Sequence, residues 1–183
     1  MSSLVPAARL QPPPCVVVMG VSGCGKSTLG QALAQKLSLR FVEGDDLHPP
    51  HNVALMAAGT PLTDDDRRDW LRALADVLRQ AQTAGQGVVV SCSALKRAYR
   101  DTLREGAPGL RLVFLHGPQP LLAQRLAGRQ GHYMPVSLLQ SQLDTLQPPQ
   151  ADEQALALSI EQPLPTQLAQ ALAALQAPSS HGA

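Results

Sequence analysis

The sequence predicts an α/β fold in which a five-stranded parallel sheet lies between helices on both faces, as a three-layer sandwich. Short apolar runs of strand character alternate along the chain with longer segments whose apolar residues have helical spacing. The chain has 183 residues, of which 44% are hydrophobic, which is enough for one domain with a buried core. We place this single domain at residues 15–176 and predict disordered ends at 1–14 and 177–183.

The first strand, at residues 16–19, runs directly into a glycine-rich loop with the spacing G-x-x-x-x-G-K-[ST]. Glycines let the backbone turn tightly around an oxyanion, so that successive N–H groups and the N-terminus of the next helix point at phosphate. The helical pattern after the loop favours this interpretation over a glycine-rich turn without a ligand. The predicted nucleotide-binding residues are Gly20, Val21, Ser22, Gly23, Cys24, Gly25, Lys26, Ser27 and Thr28.

Two side chains of this loop have expected roles in phosphate chemistry. Lys26 is expected to reach the β- and γ-phosphates of a nucleotide. Ser27 is expected to offer its hydroxyl to Mg²⁺, a hard cation that takes oxygen ligands and is usually shared with substrate phosphates.

A second strand, Arg40–Glu43, delivers polar residues to the same edge of the sheet. Ligands of parallel α/β sheets bind beyond the carboxyl ends of the strands, which is where Asp45 and His48 are expected. Asp45 is the candidate to orient an attacking hydroxyl and accept its proton, or to hold a metal-bound water, and His48 is a second candidate for the same role. A short helix follows at 52–58, with Asn52 as its predicted N-cap.

The run from Thr63 to Asp66 marks the start of a long helix that ends before Gly85. Thr63 and Asp66 form a capping pair, and three carboxylates in the first turn suit the helix dipole. A metal-binding acidic cluster is the alternative, and capping explains the positions of these carboxylates without one.

A third strand at 88–92 brings basic residues to the same edge. Lys96 and Arg100 are four residues apart and share a helix face. They are candidates to bind an anionic substrate group, and a solvated basic face is the alternative.

A fourth strand at 110–115 precedes a helix opened by Pro120, on which Arg125 and Arg129 are four residues apart. This arginine pair leads into a glycine, and the pattern indicates a lid at about 125–137 that closes guanidinium groups over transferring phosphate. A solvated helix end is the alternative. A helix from Ser137, a fifth strand at 155–160 and a last helix complete the pattern.

Composition limits the classes of partner. The net charge is +1, which gives no electrostatic reason to expect nucleic acid or an anionic membrane as a partner. No apolar run is long enough to predict a signal peptide or a membrane span. The three cysteines cannot all pair with one another, which favours a reducing compartment and predicts a cytoplasmic protein.

The motifs taken together resemble those of the gluconokinases, small P-loop sugar-acid kinases related in fold to shikimate and adenylate kinases. The resemblance extends from residue 16 to about residue 175. The glycine-rich loop is common to many unrelated proteins, whereas the combination of the later motifs is much more specific. These motifs are Glu43-Gly-Asp-Asp-Leu-His-Pro49, Gly59-Thr-Pro-Leu-Thr-Asp-Asp-Asp-Arg67, Cys92-Ser-Ala-Leu-Lys96, Gly131-His-Tyr133 and Leu143-Asp-Thr-Leu-Gln-Pro148.

The resemblance implies ATP-dependent phosphorylation of D-gluconate at its 6-hydroxyl, with Mg²⁺ as cofactor, by a homodimer. It implies catalytic roles for Lys26, Asp45, Arg125 and Arg129. The implied acceptor-binding residues are Asp45, His48, Lys96, Arg100 and His132.

Two departures from the family pattern concern Cys24 and Asp144. Cys24 stands where serine is common, which leaves the backbone role intact and predicts a thiol that ATP protects from alkylation. Asp144 stands where glutamate is frequent, so the family's carboxylate is one methylene shorter here.

Two other functions remain open at this point. One is a kinase of the same fold with another acceptor, such as shikimate or a nucleoside monophosphate, which an acceptor panel distinguishes. The other is a non-catalytic nucleotide-binding regulator, which tight ATP binding without turnover would favour.

Overall fold

The computed structural model describes residues 12–128 and 135–177, which form a parallel five-stranded sheet with strand order β2-β3-β1-β4-β5. This order confirms the α/β fold with a parallel sheet. The strands are β1 (Cys15–Met19), β2 (Arg40–Glu43), β3 (Val88–Ser91), β4 (Arg111–His116) and β5 (Leu156–Ser159).

Helices connect the strands, as right-handed crossovers between parallel strands require. They are α1 (Lys26–Leu37), α2 (Pro50–Ala57), α3 (Asp64–Thr83), α4 (Arg97–Gly106), α5 (Gln119–Ala127), α6 (Ser137–Thr145) and α7 (Leu164–Gln176). Two short 3₁₀ helices lie at Gly44–Leu47 and Ala151–Glu153. None of these helices has the length and apolar character needed to cross a bilayer.

The core is aliphatic and centres on β1, whose residues are buried along its whole length. A strand buried on both faces needs cover from both sides. Helix α1 packs with α7, and α3 packs with α4, which provides two helix pairs for the two faces. The long stripe of α3, including Trp70, Leu74 and Leu78, is buried in this core.

The capping prediction for α3 is confirmed. The Thr63 side chain accepts a hydrogen bond from the Asp66 backbone N–H, and the Asp66 carboxylate accepts one from the Thr63 N–H at 2.8 Å. This reciprocal pair satisfies backbone donors at the helix start. Among the described residues no group of three or more His, Cys, Asp or Glu is arranged to hold a metal ion.

The domain limits at residues 15–176 stay a prediction, and Pro14 lies just before them. Pro14 belongs to the fold, because its carbonyl accepts a hydrogen bond from the Val88 N–H at 3.1 Å. Residues 1–11 and 178–183, where we predict disorder, lie outside the described residues.

A buried ion pair joins α4 to the segment before β5. The Arg100 guanidinium is fully buried and forms two hydrogen bonds with the Glu153 carboxylate, at 2.6 and 2.8 Å. The hydrogen bonds from Arg100 lower the pKa of Glu153 to about 2, so this carboxylate is ionised at neutral pH. Arg104 adds a third contact to Glu153 at 3.3 Å.

The expectation that Arg100 binds an anionic substrate is therefore wrong, and so is the alternative of a solvated basic face. Arg100 also donates to the Ala94 carbonyl at 3.0 Å, which secures the turn between β3 and α4. Its role is to hold this turn in place. Helix periodicity puts Arg100 and Lys96 on one face, but it carries no information about a carboxylate that lies far away in the sequence.

Glu153→Ala is expected to lower the free energy of unfolding by about 3–5 kcal/mol, because it leaves a buried guanidinium without its carboxylate. Urea unfolding followed by circular dichroism measures the loss. The matched control is Asp152→Ala, since this neighbouring carboxylate is exposed and pairs with Arg97 at the surface. Equal losses in the two variants contradict the role of the buried pair.

Candidate active site

The glycine-rich loop between β1 and α1 has the geometry of a phosphate-binding loop. Gly20, Gly23 and Gly25 all have positive φ angles, of 143°, 85° and 91°, which L side chains rarely adopt. Gly25 is the N-cap of α1 and Lys26 is its first residue, so the helix N-terminus opens into the loop. Backbone N–H groups and the helix dipole are therefore available to an anion at this point.

A side chain and a backbone N–H of the loop make contacts that bear on its shape. Lys26 Nζ donates to the Val21 carbonyl at 3.1 Å, which folds the ammonium group back over the loop. The Ser22 N–H donates to Oε1 of Gln142 in α6, at 2.7 Å. The loop is thus in contact with a helix more than a hundred residues away in the chain.

Cys24, Cys15 and Cys92 are all buried, and none of them forms a disulfide. At 1% exposure, the Cys24 side chain is shielded by the fold itself. Burial therefore slows alkylation with or without a nucleotide, which removes the expected contrast between these two conditions.

A groove of about 570 Å³ lies along one side of the loop. We call it the outer groove. It is lined by Gly23, Gly25, Thr28, Leu121, Gln124, Arg125 and Gly128. Its volume falls in the range typical of small-molecule sites.

The Arg125 guanidinium donates to the Ile160 carbonyl at 2.8 Å. This contact holds Arg125 at the wall of the outer groove. Arg129 and His132, with the rest of residues 129–134 of the predicted lid, lie outside the described residues.

A second and much smaller cavity, of about 20 Å³, lies on the other side of the loop. We call it the inner cavity. The polar residues of its lining include Ser22, Lys26, Asp45, His48, Arg67, Ser93 and Gln142. Different loop residues line the two cavities, so the phosphate loop lies between them.

Gly44 fixes the position of Asp45 at the inner cavity. A Cβ at Gly44 would collide with the Ser91 carbonyl oxygen, so only glycine allows this close approach of β2 and β3. The Gly44 N–H donates to Ser91 Oγ at 3.1 Å, and Trp70 Nε1 donates to the Gly44 carbonyl at 2.7 Å. These contacts hold the backbone on which Asp45 is carried.

His48 is stacked on Trp70, with ring centroids 4.1 Å apart. Asn52 Nδ2 donates to the Asp66 carbonyl at 2.7 Å and lies 3.3 Å from His48 Nδ1. An amide NH₂ can only donate, so His48 Nδ1 accepts and the proton of the neutral ring is on Nε2. Asn52 is therefore not the N-cap of α2, which begins at Pro50, but the residue that sets the His48 tautomer.

The environment of His48 disfavours its charged form. Burial, and then the positive charge of Arg67, lower the pKa of His48 to about 4. At neutral pH this imidazole is uncharged and offers an N–H donor. His48 is thus suited to hydrogen bonding rather than to the role of proton acceptor that the sequence suggests.

Arg67 is a site residue that sequence reasoning missed. It lines the inner cavity with Asp45 and His48, and its guanidinium donates to the Leu62 carbonyl at 2.8 Å and to the Tyr99 hydroxyl at 3.2 Å. The sequence gives one signal, the position of Arg67 one turn into a helix that starts at the substrate side of the sheet.

Lys96 does not contribute to the lining of the inner cavity in the described part of the chain. Its Nζ donates to both carboxylate oxygens of Asp64, at 2.8 and 3.0 Å, and Tyr99 donates to the same carboxylate. The hydrogen bond to Asp64 raises the pKa of Lys96. Lys96 is therefore paired with Asp64 and does not line the cavity where it was expected to bind the acceptor.

The donor set fits Mg²⁺. Ser27 supplies a hydroxyl from the first turn of α1, and Asp45 supplies a carboxylate at the inner cavity. Mg²⁺ prefers such oxygen ligands and is usually held by one or two side chains together with substrate phosphates and water.

Comparison with known proteins places the chain among small kinases. A family model described as an AAA domain matches residues 15–149. "Gluconokinase" from Gluconobacter oxydans is 50% identical over 149 residues, which cover 81% of this chain and 84% of that protein. "Thermoresistant gluconokinase" from Escherichia coli is 46% identical over 149 residues, covering 81% and 85% of the two chains.

Solved structures agree with this assignment. The crystal structure of a gluconokinase from Sinorhizobium meliloti is 52% identical, with a TM-score of 0.81 and coverage of 90% of this chain and 92% of that chain. A Mycobacterium tuberculosis structure described as an APS kinase is similar in fold alone, at 20% identity, a TM-score of 0.68 and coverage of 91% and 99%. The phosphate loop and its two flanking cavities also agree with this assignment. This chain belongs to the gluconokinase family, as its identity to these gluconokinases over most of the chain shows.

Proposed function

We propose that this protein transfers the terminal phosphoryl group of ATP to the 6-hydroxyl of D-gluconate, giving 6-phosphogluconate and ADP. One observation carries the proposal: a phosphate loop lies between a large groove and a cavity lined by a carboxylate, an imidazole and two cations. Membership of the gluconokinase family supports the identity of the acceptor.

The outer groove accommodates the nucleoside part of ATP in this proposal, with Arg125 at its wall. The phosphates extend from the groove along the loop towards Lys26. Phosphoryl transfer depends mainly on positioning and on neutralising charge, and the loop N–H groups and the Lys26 ammonium supply both.

Ser27 and Asp45 are the residues that would hold Mg²⁺, Asp45 directly or through water. When bound, the metal neutralises charge on the phosphate oxygens. The contribution of the protein would be these two oxygen ligands, one from the first turn of α1 and one from the segment after β2.

The inner cavity receives the acceptor. Asp45 orients the 6-hydroxyl and takes its proton as that oxygen bonds to phosphorus and the bond to ADP breaks. Neutral His48 donates a hydrogen bond to a sugar-acid oxygen. Arg67 pairs with the gluconate carboxylate, a role for which sequence reasoning named Lys96 and Arg100.

Because the inner cavity is small, we expect its walls to separate before gluconate enters. Met56 and Leu62, which line the cavity, pack against Leu138 of α6. This apolar contact is where opening takes place. The homodimer that the resemblance implies and the cytoplasmic location that the cysteines predict stay predictions.

ADP release by the purified protein tests the proposal. With Mg-ATP, D-gluconate is expected to accelerate ADP release, whereas shikimate, AMP and no acceptor are not. Lys26→Ala is expected to abolish this turnover, and Lys36→Ala, an exposed lysine on the same helix, to leave it unchanged. Acceleration by shikimate or AMP alone contradicts the proposed acceptor, and ATP binding without turnover contradicts catalysis.

Arg67→Ala is expected to raise the KM for gluconate about tenfold to hundredfold, because a hydrogen bond to a charged group contributes about 1.5–3 kcal/mol. The KM of Arg67→Lys should lie between those of the parent protein and Arg67→Ala, since lysine keeps the charge but cannot form two parallel hydrogen bonds to a carboxylate. Steady-state kinetics at saturating ATP measure both. The control is Arg68→Ala, which removes an exposed neighbour paired with Asp65; an unchanged KM in Arg67→Ala removes Arg67 from the acceptor site.

The emission of Trp70, the single tryptophan of the chain, is expected to report the protonation of His48. In the folded protein the pKa of His48 is about 4, below its ordinary value, so His48 takes up its proton only as the pH falls towards 4. The unfolded chain binds this proton already near pH 6.5, so the folded protein loses stability as the pH falls from about 6.5 towards 4. A fluorescence titration, with circular dichroism to confirm folding, gives the midpoint. His48→Gln should lack the transition, and a midpoint near 6.5 contradicts the assigned environment.

A further inference from the structure

Gln142 is a polar side chain that connects α6 to the phosphate loop. It is only 8% exposed, and its Oε1 accepts the Ser22 N–H at 2.7 Å. It also lines the inner cavity, next to Lys26 and Asp45. It therefore lies where, in the proposed function, the terminal phosphate meets the acceptor hydroxyl.

The position of α6 restrains this side chain. Leu138, one turn before Gln142 on the same helix face, packs against Met56 and Leu62, and Leu139 is buried in the main core. The helix is thus anchored to both the acceptor side and the sheet. An amide held on a packed helix is placed more precisely than one on a loop.

The contact with Ser22 sets the orientation of the Gln142 amide. Oε1 is the acceptor atom of the group, and the NH₂ on the other side carries two donors. A neutral donor suits an oxygen of a transferring phosphoryl group, where charge builds up in the transition state. A carboxylate at the same place would keep the bond to Ser22 but repel that charge.

We propose that Gln142 is a further catalytic residue, which holds the loop through Oε1 and donates an N–H to an oxygen of the transferred phosphoryl group. This inference rests on the proposed function and adds to it a residue on α6. It gives Gln142 two separable tasks, one at each end of its amide.

Gln142→Glu separates these tasks. The carboxylate still accepts from Ser22, so the variant should fold and melt as the parent protein does. At pH 8 its kcat should fall by about 10²-fold or more, as for the loss of a donor to a developing oxyanion. As the pH is lowered towards 5.5, the ratio of its kcat to that of the parent should rise, because a protonated carboxyl regains a donor.

Gln142→Met is the second variant, because it keeps the volume and loses both polar ends. Its kcat should fall by about 10²-fold with no recovery at lower pH. Gln140→Glu is the matched control and should be unaffected, since Gln140 is exposed on the same helix and bonds to Gln119 and Asp144.

The outcomes distinguish this inference from the proposed function. If the parent protein shows no gluconate-dependent ADP release, the proposed function fails. If the parent protein is active and Gln142→Glu matches it at pH 8, or Gln142→Met matches it at any pH, the catalytic role of Gln142 is overturned. A loss in Gln142→Glu that does not vary with pH also overturns it.

Discussion

The arrangement of the site depends on one constraint, the tight passage of the backbone from β1 into α1. The loop must turn with positive φ at Gly20, Gly23 and Gly25 while β1 stays buried on both faces. Because neighbouring parallel strands end at the same edge, this turn brings the ends of β2 and β3 beside the helix N-terminus. Both the outer groove and the inner cavity form around it.

The inner cavity depends on buried polar contacts as much as on apolar packing. Trp70 links two parts of its lining, because it donates to the Gly44 carbonyl, next to Asp45, and stacks on His48. Arg100 and Glu153 secure the turn that follows β3. Such contacts are costly to bury unless they are complete, and completing them fixes the geometry of the site.

Local features could be predicted from the sequence. The strands, the phosphate loop and the capping box at Thr63 depend on residues a few positions apart, and the structure agrees with them. The contacts between side chains of distant segments could not be predicted in this way. Arg100 was assigned to substrate because its partner Glu153 is remote in sequence, and Gln142 was missed because only folding brings it to Ser22.

In the proposed function, ATP and gluconate meet across the phosphate loop, with the gluconate carboxylate on Arg67. A crystal structure with D-gluconate and a non-hydrolysable ATP analogue tests it most directly. The account predicts the carboxylate within hydrogen-bonding distance of Arg67 and the 6-hydroxyl between Asp45 and the terminal phosphate. A carboxylate bound to Lys96 instead, or gluconate outside the inner cavity, would contradict the account.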